Sequence, residues 1–331
     1  MAVVAHRSRA AEGLLAWRAT IGTAFAVVIS RPELWLIGAL SVTARGGLLL
    51  LTLPLLTLPS PVAFSVILGP ELVAGDSPAL GGLIAAAAAV LGALVVAGLV
   101  LGAVADLMAY ERFVRDPESA EVRHGRAPGP MNSRRRMSTV VSLVAVQVTA
   151  LVPAVVAAAW LGERLSVLIR AELMHPSSDG QLLARITSGA REPLVALIVL
   201  LLLAEIVSSL ATRHLLASRF GIGDGPRDAT EARSVGTAVV RVVAAPVVLA
   251  VRAAGGWLLA ALLFVPVAGA LLVAWDAMRA LYLTPAALDA DVAVARTLVT
   301  VVFAALWVVA IVMAGVASAI RAAHWTATSL R

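Results

Sequence analysis

Residues 77–105 read SPALGGLIAAAAAVLGALVVAGLVLGAVA, without one ionisable side chain. A helix rises 1.5 Å per residue, so about 20 residues cover the roughly 30 Å of bilayer hydrocarbon. This run is longer than that. Uncharged runs of the same kind occupy 137–162, 253–275 and 297–320. Lipid cannot satisfy bare backbone groups, so only helices and closed barrels cross it. Barrel strands alternate apolar and polar residues, whereas these runs are apolar all round. The chain reads as an all-α, polytopic integral membrane bundle forming one membrane domain over 1–331.

The whole composition agrees. Apolar residues make up 60% and charged residues 14%, with a mean hydropathy of +0.95. Soluble domains are nearer half apolar and a quarter charged. The net charge of +6 and pI of 11.1 would suit a nucleic-acid partner. However, the basic residues are all arginine and gather between the apolar runs, so no nucleic acid is expected. Cysteine is absent, which excludes disulfides, thiolate catalysis and cysteine metal sites. The first 18 residues lack a short apolar core with a small-residue cleavage site and read as a retained end, not a signal peptide.

Within 11–30, Leu14, Trp17, Ile21, Phe25 and Val28 recur at three or four residues, the pattern of an amphipathic helix lying in the membrane interface. Pro32 then opens the first of six spans, about 34–57. A frame shifted toward 46–70 is opposed by its prolines. The other spans are about 80–105, 138–160, 193–212, 246–275 and 297–320. Loop 161–192 holds part of a surface helix, and further interfacial helices are expected before the third and fifth spans. The N-terminal segment, loops 106–137 and 213–241 and the C-terminal tail carry about 18 arginines, against about 6 on the other side. By the positive-inside rule the arginine-rich side, with both termini, is cytoplasmic. Trp17, Trp35, Trp160, Trp275 and Trp325 fall near the expected interfaces, where indole is favoured.

An internal echo runs through the chain. Gly22-Thr23-Ala24 lies ten residues before Pro32, and Gly236-Thr237-Ala238 lies ten before Pro246. After each proline come an arginine and a glycine pair: Arg45-Gly46-Gly47, then Arg252 with Gly255-Gly256. The amphipathic lead-in, proline-started spans and six-helix layout resemble the membrane domains joined to some bacterial glycerophosphodiester phosphodiesterases, and related stand-alone multi-pass proteins. Their hydrolase domain has no counterpart in this sequence. The resemblance implies an accessory module of the bacterial cytoplasmic membrane, not an enzyme.

Arg45, Glu205 and Arg252 fall inside expected spans, where a bare charge costs at least a few kcal/mol and normally finds a partner. Glu205 and Arg252 lie at similar depth, roughly 10 Å from the basic end, and form the preferred pair, with Arg45 second and Gln147 able to join. Such a cluster could coordinate an anionic substrate or lipid head group. It could equally be a structural ion pair, or arginines snorkelling to the interface. The run Arg134-Arg135-Arg136 suits anionic lipid head groups, or only fixes topology. Gly81, Ala85, Ala89, Ala93 and Ala97 form a stripe of small residues continued by Gly98 and Gly102, suited to close helix packing inside the bundle or to a homo-oligomer face.

No metal or cofactor is expected. Gly221-x-Gly223-x-Gly225 has no strand before it and is a turn, not a dinucleotide fingerprint. Histidines 6, 124, 175, 214 and 324 have no metal-ligand spacing and read as solvated or interfacial. The sequence therefore leaves a non-catalytic module assisting a protein partner, a transporter or channel for a small or anionic solute using Arg45, Glu205 and Arg252, or a membrane enzyme acting on lipid.

Overall fold

The computed structural model describes residues 18–47, 78–120, 129, 131–174, 182–222, 235–244, 246–283 and 290–330; some side chains at helix ends, Arg252 among them, lie outside that description. Among the described residues every regular element is a helix. In chain order these are α1 (Arg18–Ser30), α2 (Pro32–Ala44), α3 (Pro78–Arg115) and a 3₁₀ turn at Pro117–Ser119. Then follow α4 (Ser133–Met174), α5 (Leu182–Gly189) and α6 (Arg191–Phe220). The last are α7 (Val235–Val243), α8 (Pro246–Leu283) and α9 (Ala290–Ser329).

Prolines open α2, α3 and α8. Proline lacks an N–H that the first turn would leave unbonded anyway, so it starts helices without loss. Gly221 closes α6 at φ +66°, and Ile222 N–H reaches back to the Ala217 carbonyl at 2.9 Å. Only glycine adopts that conformation without a Cβ clash.

Five helices, α3, α4, α6, α8 and α9, are long and apolar enough to cross a membrane, and the bent pair α1–α2 makes a sixth candidate if its two halves count as one span. The protein is thus a polytopic helical bundle. α4 packs along α6 and α8 along α9, while α2 lies between α3 and α9. The α8–α9 hairpin is fastened along its length. Trp275 stacks obliquely on Phe303 at 5.7 Å, Tyr282 and Thr300 share a hydrogen bond of 2.9 Å, and Arg296 Nε donates to the Leu281 carbonyl at 3.2 Å.

The structure refines three expectations. α2 ends at Ala44, with Arg45 as its cap and Gly46 at φ +84°, and Gly47 is helical again. The left-handed Gly46 turns the chain out of α2; residues 48–57 lie outside the described residues. The amphipathic lead-in turns its apolar face onto the protein. Ala24, Val27 and Val28 of α1 are fully buried in the protein core, and α1 meets α2 at 101°. Trp35 Nε1 donates to the Val28 carbonyl at 2.8 Å, which serves a carbonyl that the bend released. Finally, much of loop 161–192 is helix, because α4 continues to Met174 before α5 begins. Before the fifth span stands α7, whose Ala238 and Val242 are buried in the same core; residues 121–128, ahead of the third span, lie outside the described residues.

The bundle has two unlike ends. Toward the ends of α3, α6 and α9, and the start of α4, lies the main core, with Tyr110, Phe113, Leu143, Leu215, Ile320 and Trp325 all buried. Toward the other end the helices show apolar side chains on nearly every face, as at Leu94 and Val96 of α3, Leu202 of α6 and Val273 of α8. Only 6% of the apolar stretch of α8 is buried inside the protein. The buried end is also the arginine-rich end, and is called the basic end below.

Candidate functional site

Five charged side chains of the described residues meet at one place, just inside the basic end. Glu205, Ser209 and Arg213 stand at intervals of four on α6, so they share one helix face. Asp106 comes from α3, Arg321 and Trp325 from successive turns of α9, and Arg45 from the cap of α2. Arg45 donates from Nη1 to Glu205 at 3.2 Å and from Nη2 to Asp106. Asp106 also accepts from Arg213 at 3.2 Å. Glu205 also accepts from Arg321 at 2.8 Å and from the Ser209 hydroxyl at 3.4 Å. Three guanidinium groups thus face two carboxylates in a continuous chain, Arg321–Glu205–Arg45–Asp106–Arg213.

Burial makes this network consequential. Asp106 and Arg213 are almost wholly buried, while Arg45 and Glu205 keep about a fifth of their side-chain surface, at 19% and 21%. Aromatic faces cover the cations. The Arg321 guanidinium sits 4.6 Å from the Trp257 ring and 5.0 Å from Trp325, and Arg213 lies 6.0 Å from Trp325. A cation over an aromatic face is attracted by the ring quadrupole. Ion pairs reached by so few waters interact far more strongly than surface pairs, and are correspondingly costly to break singly.

Glycines set the approach distances. A Cβ on Gly98 would collide with the carbonyl of Ala44, and one on Gly38 with the carbonyl of Gly315. Both positions let α2 lie directly on its neighbours. Gly102 is different: a Cβ there would stand 3.7 Å from Gln147 Nε2 and 3.9 Å from Arg45 Nε. Gln147, on α4, is 5% exposed, and its Nε2 has no hydrogen-bond partner among the described residues. Beside the network, Leu34, Gly38, Asp106 and Ala322 line a crevice of about 20 Å³ between α2, α3 and α9, the room of about one water molecule.

A second layer of polar contacts ties the helix ends. Arg31, at the α1–α2 bend, donates to Asp116 at 2.8 Å, and Arg112 donates to Glu33 at 2.8 Å. Arg219 of α6 donates to Ser142 at 2.6 Å and Thr139 at 3.1 Å on α4.

Of the residues singled out from sequence, Arg45 and Glu205 are together and Gln147 is beside them. Glu205 pairs with Arg45 and Arg321, whereas the preferred pairing of Glu205 with Arg252, on α8, falls on a side chain outside the described residues. In the arginine run, Arg134, Arg135 and Arg136 are all exposed, and Arg136 is also ion-paired with Glu111. Gly98 packs within the chain, and the small residues before it, Ala85 to Ala97, are exposed. Trp325 and His324, expected at an interface, are each 1% exposed. Sequence reasoning missed Asp106, Arg213 and Arg321. Their one signal was position, since each stands one residue past the end of an expected span.

The fold and the network define a polytopic helical membrane protein with its buried charges collected at one end. Comparison with protein-family models, curated proteins and solved structures gives no match.

Proposed function

We propose that this chain is a non-catalytic membrane module that scaffolds or assists a protein partner, with its basic end and both termini in the bacterial cytoplasm. The observation that carries this reading is the division of the bundle. The intramembrane charges of the described residues are paired off among themselves at the basic end, and the helices beyond it present apolar side chains on nearly all sides. A locked end with exposed apolar helix faces beyond it suits lateral association with another membrane segment, since helix association in lipid rests on close packing. The layout resemblance to membrane domains attached to phosphodiesterases fits the same role.

The test is photo-crosslinking in membranes from exposed positions on these faces, with a photoreactive residue at Leu94, Leu202 or Val273. A discrete protein adduct from at least one position is expected. Adducts to lipid alone from all three would remove the reading. One observation favours a transporter instead: the network holds three cations against two anions. Anion flux in proteoliposomes separates the two, because the module reading requires flux no greater than in empty vesicles.

A further inference from the structure

Two donors converge over Gly102. The amide Nε2 of Gln147 is buried and has no hydrogen-bond partner among the described residues. Arg45 uses Nη1 and Nη2 on its carboxylates, and its Nε lies 3.9 Å from the place a Cβ on Gly102 would take, as does Gln147 Oε1. A buried donor without an acceptor is costly, and so is an uncompensated buried charge. Among the described residues the network leaves one unit of positive charge in excess. One group would answer all three conditions: an oxyanion carrying a single negative charge, with one oxygen seated over Gly102.

We propose that Arg45 Nε, Gln147 Nε2 and the Cα face of Gly102 form a binding site for a phosphate oxyanion, with Arg321 supplying the surplus charge from across Glu205. Arg45 and Glu205 each keep about a fifth of their side-chain surface, at 19% and 21%, which gives the way in. A phosphodiester head group and free phosphate share the chemistry the site reads. The site needs no conduit through the bundle and holds whether or not the chain serves as a module.

Gly102 supplies a sharp test. An added methyl would lie at ordinary contact distance from its neighbours, so Gly102→Ala leaves the fold intact but occupies the place of the oxygen. The purified full chain in detergent is titrated with phosphatidylglycerol in mixed micelles, with phosphatidylcholine as control, and separately with inorganic phosphate. The readouts are the thermal midpoint and native mass spectrometry, at 0.1 and 0.5 M salt. A rise in midpoint with phosphatidylglycerol that persists at high salt is expected. Gly102→Ala and Gln147→Leu should each weaken this binding about tenfold or more, the effect of losing a hydrogen bond to a charged group. The double variant Arg134→Ala, Arg135→Ala should remove only salt-sensitive binding. A variant-sensitive response to lipid alone assigns the site to a head group, and one to phosphate as well assigns it to the free anion. If neither ligand raises the midpoint, or the rise survives both Gly102→Ala and Gln147→Leu, the proposal is overturned.

Discussion

Asp106 is the residue on which most depends, because both Arg45 and Arg213 donate to it from within the bundle. Removing one member of a buried charge network leaves its partners unmatched, at about 3–5 kcal/mol. We expect Asp106→Asn to lower stability by that order in unfolding experiments in detergent. Glu205→Gln should cost less, since Glu205 keeps a fifth of its side-chain surface, whereas Asp106 keeps 3%. Equal effects would mean that burial does not set the strength of these pairs. Asp106, Arg213 and Arg321 were hard to find for a physical reason. Reading by hydropathy ends a span at the first charge, and each of the three stands at such a point. Whether a charge is held inside depends on a partner from another helix, and no local window contains that partner. Arg45 and Glu205 were legible because apolar residues continue on both sides of them.

The contacts between elements depend on where the chain lacks side chains. Gly38 and Gly315 face each other where α2 lies on α9, with a Cβ on Gly315 falling 2.6 Å from the Trp35 carbonyl. Gly38→Ala and Gly315→Ala are each expected to cost about 1–3 kcal/mol, the usual penalty of overpacking. Gly92→Ala should leave the midpoint unchanged or raise it, because nothing lies within 4 Å of a Cβ there. Thermal midpoints of the three variants decide this. The α4–α6 pair is held at its basic end by Arg219 on Ser142 and Thr139. Replacing Arg219 by Met is expected to cost about 1–2 kcal/mol. It should also speed amide exchange in the first turns of α4 while leaving the α8–α9 hairpin as before.

At the scale of the molecule, the echo seen in the sequence has a structural counterpart. α1 and α7 are each a lead-in to a proline-started helix, and Ala24 with Val28 and Ala238 with Val242 occupy matching places in the same core. Pro32 and Arg115 are as far apart in sequence as Pro246 and Ser329. The two ends of the chain thus share one plan, lead-in, proline-started helix and long helix, around the α4–α6 pair. Helical repeats of this kind recur in membrane folds. Orientation can be read directly, since the chain has no cysteine of its own. Single cysteines at Glu118, Arg134 and Gly221 should react with an impermeant thiol reagent only after the cytoplasmic face is opened. Cysteines at Arg191 and Asp291 should react in intact cells. The reverse pattern would invert the proposed topology.

What the sequence determined by itself was the class of fold. The length of an uncharged helix is a local property, and backbone hydrogen bonding in lipid leaves no other structure for such runs. Five of the six expected spans correspond to helices α3, α4, α6, α8 and α9, each extending past its expected limits. The tertiary structure decided where the charges go. It stopped α2 at Arg45, packed the apolar face of α1 on the core, and brought Asp106, Arg213 and Arg321 to Arg45 and Glu205. The reason is the same in each case. The energy of a buried charge or of an amphipathic face is set by the groups that meet it, and those come from distant parts of the chain.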